Sequence, residues 1–266
     1  MTNALDNKDM ARLYSAFMMV FTQRCYIQIS AESLNIELSD QIVWKRIVLL
    51  DKTRKYKESI SLLKMLADKG VQEAQLSLGL YYLKGKGIAI DKSQAFFWIK
   101  KAADSGNHRG LRVLGQLYEI GIEGEVDMEK AYICYKKSSD LGNKCSRYHL
   151  GKCYLEGIVV DKNIEQAFCL IKESADMEYG PAQYSVAMMY KDGLGTTKNI
   201  DEFLKYLDLA CNNDNADAKC EMGIMMYDGI LVNKDEKKGR DFIRSASYKG
   251  VAKAEYKLAL IIEKEK

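Results

Sequence analysis

The feature that most constrains this chain is a recurrence every 36 residues. Steps of 36 from Leu78 give Leu114, Leu150, Val186, Met222 and Leu258, all apolar. One residue further on come Gly79, Gly115, Gly151, Ala187, Gly223 and Ala259, all small. Three after those come Tyr82, Tyr118, Tyr154, Tyr190, Met226 and Ile262. Three later again, Gly85, Gly121, Gly157, Gly193 and Gly229 are glycine every time. No insertion breaks this register from Leu78 to the C-terminus. Self-similarity at such a period is the mark of stacked supersecondary units.

The spacing within one unit says what the unit is. Positions 74, 78, 82 and 85 share one face of a helix, and 95, 98, 99 and 102 share one face of a second. The residues between Gly85 and about Lys92 make the turn. Gly85 sits where a helix stops in a left-handed cap, which glycine adopts at no steric cost. Asp91, Asp127, Asn199 and Asp235 fall where the second helix begins and are suited to cap its free N–H groups. Gly70, Gly106, Gly142 and Gly250 end that helix. Gly87 reads as dispensable, because Glu123, Val159 and Leu231 replace it. One helix pair cannot bury its own apolar face, but a stack can. The expected fold is therefore all-α, a right-handed α/α superhelix of helix-turn-helix repeats. Its units lie near 38–70, 74–106, 110–142, 146–178, 182–214 and 218–250, followed by a capping helix at 254–266. Residues 1–37 depart from the repeat. Met10, Leu13, Phe17, Val20 and Phe21 form an amphipathic stripe there, suited to cap the first unit or to dock a partner.

Residue chemistry excludes several functions. The seven cysteines (25, 134, 145, 153, 169, 211 and 220) form no Cys-x-x-Cys pair, and only His108 and His149 accompany them. No metal site is expected from that set. Cys145 and His149 stand four residues apart on one helix face, but at variable repeat positions, so no catalytic pair is expected there. Asp91 and Asp127 are repeat-equivalent caps and not an acid–base dyad. Gly85-x-Gly87 and Gly193-Leu-Gly195 recur in phase and read as turns, so no phosphate loop and no cofactor are expected. The net charge of +3 is too small to point to nucleic acid. The lysine pairs Lys100–Lys101 and Lys136–Lys137 read as a solvated stripe near the negative end of the second helix. The N-terminal stretch does not read as a secretion signal, and no run approaches a membrane span. Together with the odd cysteine count, this gives an expected cytoplasmic location.

Residues 74–106, AQLSLGLYYLKGKG…DKSQAFFWIKKAADSG, carry the pattern A-x3-LG-x2-Y-x2-G-x-G followed by D-x3-A-x2-W-x2-KAA-x2-G. This resembles the Sel-1-like repeat, a relative of the tetratricopeptide repeat, and the resemblance covers about 38–266. It implies a non-catalytic scaffold of bacterial style that binds a polypeptide, in a regulatory, effector or toxin-immunity role. A cysteine-rich secreted branch of the same family staples its repeats with cysteines eight apart, and some members bind β-lactams. A disulfide-stapled enzyme of that kind is the alternative. Cys145 and Cys153 have the spacing but lie within one first helix, and Cys211 and Cys220 are nine apart.

In this family the first helix of each unit is expected to line a concave groove. The flank opposite the core stripe falls near positions 76, 80 and 83. Across the units it reads Leu76, Leu80 and Leu83, then Arg112, Gln116 and Glu119, then Tyr148, Lys152 and Leu155, then Tyr184, Met188 and Lys191, then Cys220, Ile224 and Tyr227, then Tyr256 and Leu260. That row is richer in Tyr, Met and aliphatic residues than a solvated face, which suits a protein partner. No small-molecule ligand is expected.

Overall fold

The computed structural model describes residues 38–122 and 124–264. The N-terminal stripe from Met10 to Phe21 lies outside the described residues. Among the described residues thirteen helices follow one another: α1 (Leu38–Lys52), α2 (Tyr56–Asp68), α3 (Gln72–Lys84), α4 (Lys92–Asp104), α5 (His108–Glu119), α6 (Met128–Asp140), α7 (Lys144–Glu156), α8 (Ile164–Asp176), α9 (Gly180–Asp192), α10 (Ile200–Asn212), α11 (Ala216–Asp228), α12 (Glu236–Ser247) and α13 (Ala252–Lys264). They form the expected all-α repeat of first and second helices. Among the described residues there is no strand.

The chain divides into two compact units, Met1–Asn143 and Lys144–Lys266. In the first, a single core runs from Trp44 and Ile47 through Leu63, Leu78 and Ile99 to Leu114 and Leu117. The second has a core built on Ile171, Val186, Phe203, Leu207 and Met222, and a smaller one on Cys220, Ile243 and Ile261.

The residue types that repeat have identifiable work. A Cβ at Gly79 would stand 2.6 Å from Ile99 Cγ1, and one at Gly151 would stand 2.6 Å from Ile171 Cγ1. The small residue thus lets the second helix of each unit lie directly on the first. From α4 on, each second helix is joined to its first by a recurring backbone bond, and the residue that makes it also caps the second helix. The backbone N–H groups of Asp91, Asp127, Asn163, Asn199 and Asp235 donate to the carbonyls of Tyr82, Tyr118, Tyr154, Tyr190 and Met226. The same five side chains accept from the N–H three residues on, at 2.9 to 3.1 Å. A cap of this kind stabilises by about 1 kcal/mol. Asn163 adds a fifth member to the four caps read from the sequence. Ser138 and Ser174 tie the second helix of a repeat to the start of its own first helix. Their buried hydroxyls donate to the carbonyls of His108 and Lys144 at 2.6 and 2.7 Å.

The position of Gly87 is not conformationally free. Gly87 and Gly195 have φ of +66° and +69°, and Val159 and Leu231 hold the same left-handed backbone at +68° and +60°. The turn geometry belongs to the repeat, and those two side chains adopt it under strain.

Asp214 is a charged clamp inside the second unit. Lys219 and Lys249 both place an ammonium 2.5 Å from its carboxylate. Their hydrogen bonds hold the Asp214 carboxyl down at about 2, against an ordinary 3.8. A depressed carboxyl stabilises the fold above its ordinary value, and that contribution is lost as pH falls from about 4 toward 2. The side chain is 49% exposed, which limits the effect to under about 1 kcal/mol. Asp214→Asn is expected to lower stability near neutral pH and to match the parent at about pH 2. Urea unfolding at the two pH values checks this, and an equal loss at both would refute the clamp.

Candidate partner-binding surface

The flank read from the spacing divides sharply between the two units. In the first, α3 and α5 are enclosed on nearly every side. Leu76 and Leu83 are 1% and 0% exposed and belong to the core, so the expectation that they face a groove does not hold for them. Arg112 is also buried, and its Nη1 donates to Gln116 Oε1 at 2.8 Å. Leu80 and Gln116 are half-buried. The reason lies in the packing: α3 lies against α2 and α4, and the side chains of both its flanks enter one core. No side of that helix is left free for the spacing rule to assign to solvent.

In the second unit the flank is more accessible, although Cys220, at the position of Leu76, is 1% exposed and belongs to the core. Tyr148, Lys152, Tyr184, Met188, Ile224 and Tyr227 are all half-buried, and Tyr256 is exposed. Helices α7, α9, α11 and α13 supply them at one repeat position after another. Tyr148 packs edge-on against Tyr179 at 5.5 Å, and its hydroxyl lies 3.3 Å from Ser185 Oγ. Lys152 Nζ sits 3.6 Å from Glu156. Burial, followed by the charges of Glu221 and Asp217, pushes the Tyr184 hydroxyl up to about 12, so it stays a neutral donor. The Lys257 ammonium lies 5.5 Å from the Tyr227 ring centre and bonds Asp228 at 2.7 Å. Glu221 pairs with Lys253 and stands 4.0 Å from Lys191. The row is thus apolar and aromatic, with polar tips and charges at its edge. Such amphipathic anchors suit a polypeptide.

Tyr179 and Glu221 join this surface without having been read from the sequence. Tyr179 occupies the position held by Asn107, Asn143 and Asn215 in other units, and that departure from Asn was the available signal.

The cysteines offer little chemistry here. Of the described ones, Cys134, Cys169, Cys211 and Cys220 are free thiols. Burial pushes the thiols of Cys134, Cys211 and Cys220 up to about 11, 12 and 11, which keeps them protonated and unreactive near neutrality. Cys145 and His149 are both half-buried on α7. Among the described residues, no group of three His, Cys, Asp or Glu side chains could hold a metal ion. No described helix is long and apolar enough to cross a membrane.

Stacked helix pairs with an open, aromatic first-helix flank define the class: a repeat protein of the α-solenoid type. The Sel1 repeat model matches residues 72–107, 109–143, 146–179, 180–215 and 216–251, and the chain belongs to the Sel1 repeat family. Helices α1, α2 and α13 lie outside the matched residues. Among solved structures, a Sel1 repeat protein from Oxalobacter formigenes is similar at 21% identity and a TM-score of 0.72. That likeness covers 79% of this chain and 86% of the other. A protective antigen present in uropathogenic Escherichia coli strains is 27% identical with a TM-score of 0.63. It is matched over 77% of this chain, which spans only 44% of the antigen. The immunity protein PA5088 from Pseudomonas aeruginosa shares the fold at 19% identity and a TM-score of 0.59, over 86% of this chain and 89% of the other. No match was found among curated proteins.

Proposed function

We propose that this protein is a non-catalytic scaffold that holds a polypeptide partner against the first helices of its Lys144–Lys266 unit. One observation carries the reading. Tyr148, Tyr184, Met188, Ile224 and Tyr227 form a half-buried apolar row that packs on the cores of this unit with one side and keeps the other accessible. Buried aromatic anchors of this type supply most of the energy of a protein interface. Binding and blocking a toxin protein is one form of this role, and an immunity protein shares the fold. The free cysteines suit a reducing cytoplasm.

The test is affinity capture with the full chain from its own cells, identification of the bound protein, and measurement of its affinity for a Tyr184→Ala/Ile224→Ala variant. At least a tenfold loss is expected, on the order of the cost of one removed anchor. Circular dichroism should show unchanged helicity, because both side chains are half-exposed. Unchanged affinity in a folded variant would sink the assignment.

A further inference from the structure

The second helices of the first unit carry a surface that the partner-binding row does not explain. Repeat positions 97, 100 and 101 share one outward face, being three and four residues apart. In α4 they hold Phe97, Lys100 and Lys101, and in α6 Ile133, Lys136 and Lys137. Phe97 is 52% exposed and Ile133 is 50% exposed, and all four lysines are exposed. Lys100, Lys136 and Lys137 make no ion pair with the described residues. In α2 the same face has Lys64 and the exposed Met65.

The repeat does not require this arrangement. In the second unit the same three positions read Cys169, Lys172 and Glu173, then Lys205, Asp208 and Leu209, then Asp241, Arg244 and Ser245. There Lys172 is neutralised by Asp176 at 2.8 Å. Lys101 lies over the Phe97 and Trp98 rings, at 5.9 and 5.0 Å. The cores of both units make the same demands on these helices, so folding alone does not explain an exposed apolar side chain beside two exposed lysines in consecutive repeats.

We propose that this face of the first unit docks on an anionic lipid bilayer surface, with Phe97 and Ile133 entering the headgroup layer and the lysines facing lipid phosphates. The cations on α4 and α6 at this face are all lysine. Lysine serves as a compact point charge toward a charged surface, whereas arginine serves bidentate recognition of single groups. Exposed aromatic and aliphatic tips beside lysines are what interfacial binding uses. Docking of this kind is peripheral, with no segment crossing the bilayer, and it leaves the partner-binding row of the second unit untouched.

The experiment is co-sedimentation of the full chain with vesicles of phosphatidylcholine alone, and of phosphatidylcholine with about one-third phosphatidylglycerol, at low salt. Binding to the anionic vesicles only is expected. It should fall about tenfold or more in Lys100→Gln/Lys136→Gln/Lys137→Gln. Phe97→Ser/Ile133→Ser should also weaken it, with helicity unchanged in both variants. Absence of binding to anionic vesicles, or equal binding by the lysine variant, would overturn the proposal. So would tighter, lysine-dependent binding to poly-glutamate or to a single-stranded RNA oligomer, which would assign the face to another polyanion.

Discussion

Gly87→Val is expected to destabilise the first unit by about 3 kcal/mol, whereas Val159→Gly should stabilise the second by about 1 kcal/mol. Both residues occupy the same repeat position and the same left-handed backbone, at φ of +66° and +68°. What differs is the space available to a side chain. A Cβ at Gly87 would stand 2.6 Å from Tyr56 Cβ and 2.9 Å from the Tyr56 carbonyl carbon. The second of these is backbone at the start of α2, which cannot rotate away. A left-handed L-residue costs roughly 1–2 kcal/mol, more when β-branched, and an overpacked contact costs roughly 1–3 kcal/mol. At Val159 the side chain already has room, being 45% exposed, so only the backbone strain is relieved on going to glycine. The greater freedom of glycine in the unfolded chain offsets part of that gain. Urea unfolding of both variants is the measurement. The same sign of change at the two positions would refute this account of the turn.

Asp51→Ala should cost about 3 kcal/mol and Asp51→Asn markedly less. Asp51 lies at the end of α1 and is 5% exposed. Its carboxylate accepts from Ser59 Oγ at 2.8 Å and from the Tyr81 hydroxyl, so one side chain joins α1, α2 and α3. Burial, together with the bond to Asp51, holds the Tyr81 hydroxyl well above the ordinary tyrosine range, so it remains a donor. Alanine leaves two buried hydroxyls without their acceptor, and each lost partner costs about 1–3 kcal/mol. Asparagine keeps one carbonyl oxygen in place. The unfolding midpoints of the two variants decide the matter. Asparagine as costly as alanine would show that charge, and not hydrogen-bond satisfaction, holds this junction.

These two predictions draw on different parts of what could be read from the sequence. The turn at Gly85–Asp91 was legible because its demands are local: a left-handed stop, and a capping side chain that reaches three residues ahead. The 36-residue copies multiplied that weak local signal until it was unambiguous. The turn was still misjudged at Gly87. Replacement by Glu123, Val159 and Leu231 suggested freedom, whereas the four described copies, Gly87, Val159, Gly195 and Leu231, keep one left-handed backbone. The Asp51–Ser59–Tyr81 junction had no such signal, since it occurs once and joins residues from three helices.

The sequence by itself determined the helix pair, its period, its stops and caps, and the small residue at each helix crossing. All of these follow from contacts within one unit or between adjacent units, and they recur. Only the tertiary structure decided which flank of the first helices is available. One repeat position is sealed at Leu76 and half-open at Tyr148 and Tyr184, and another is sealed at Leu83 and half-open at Tyr227. Helical spacing fixes which residues share a face, but how far neighbouring helices close over that face depends on the summed packing of every layer around it.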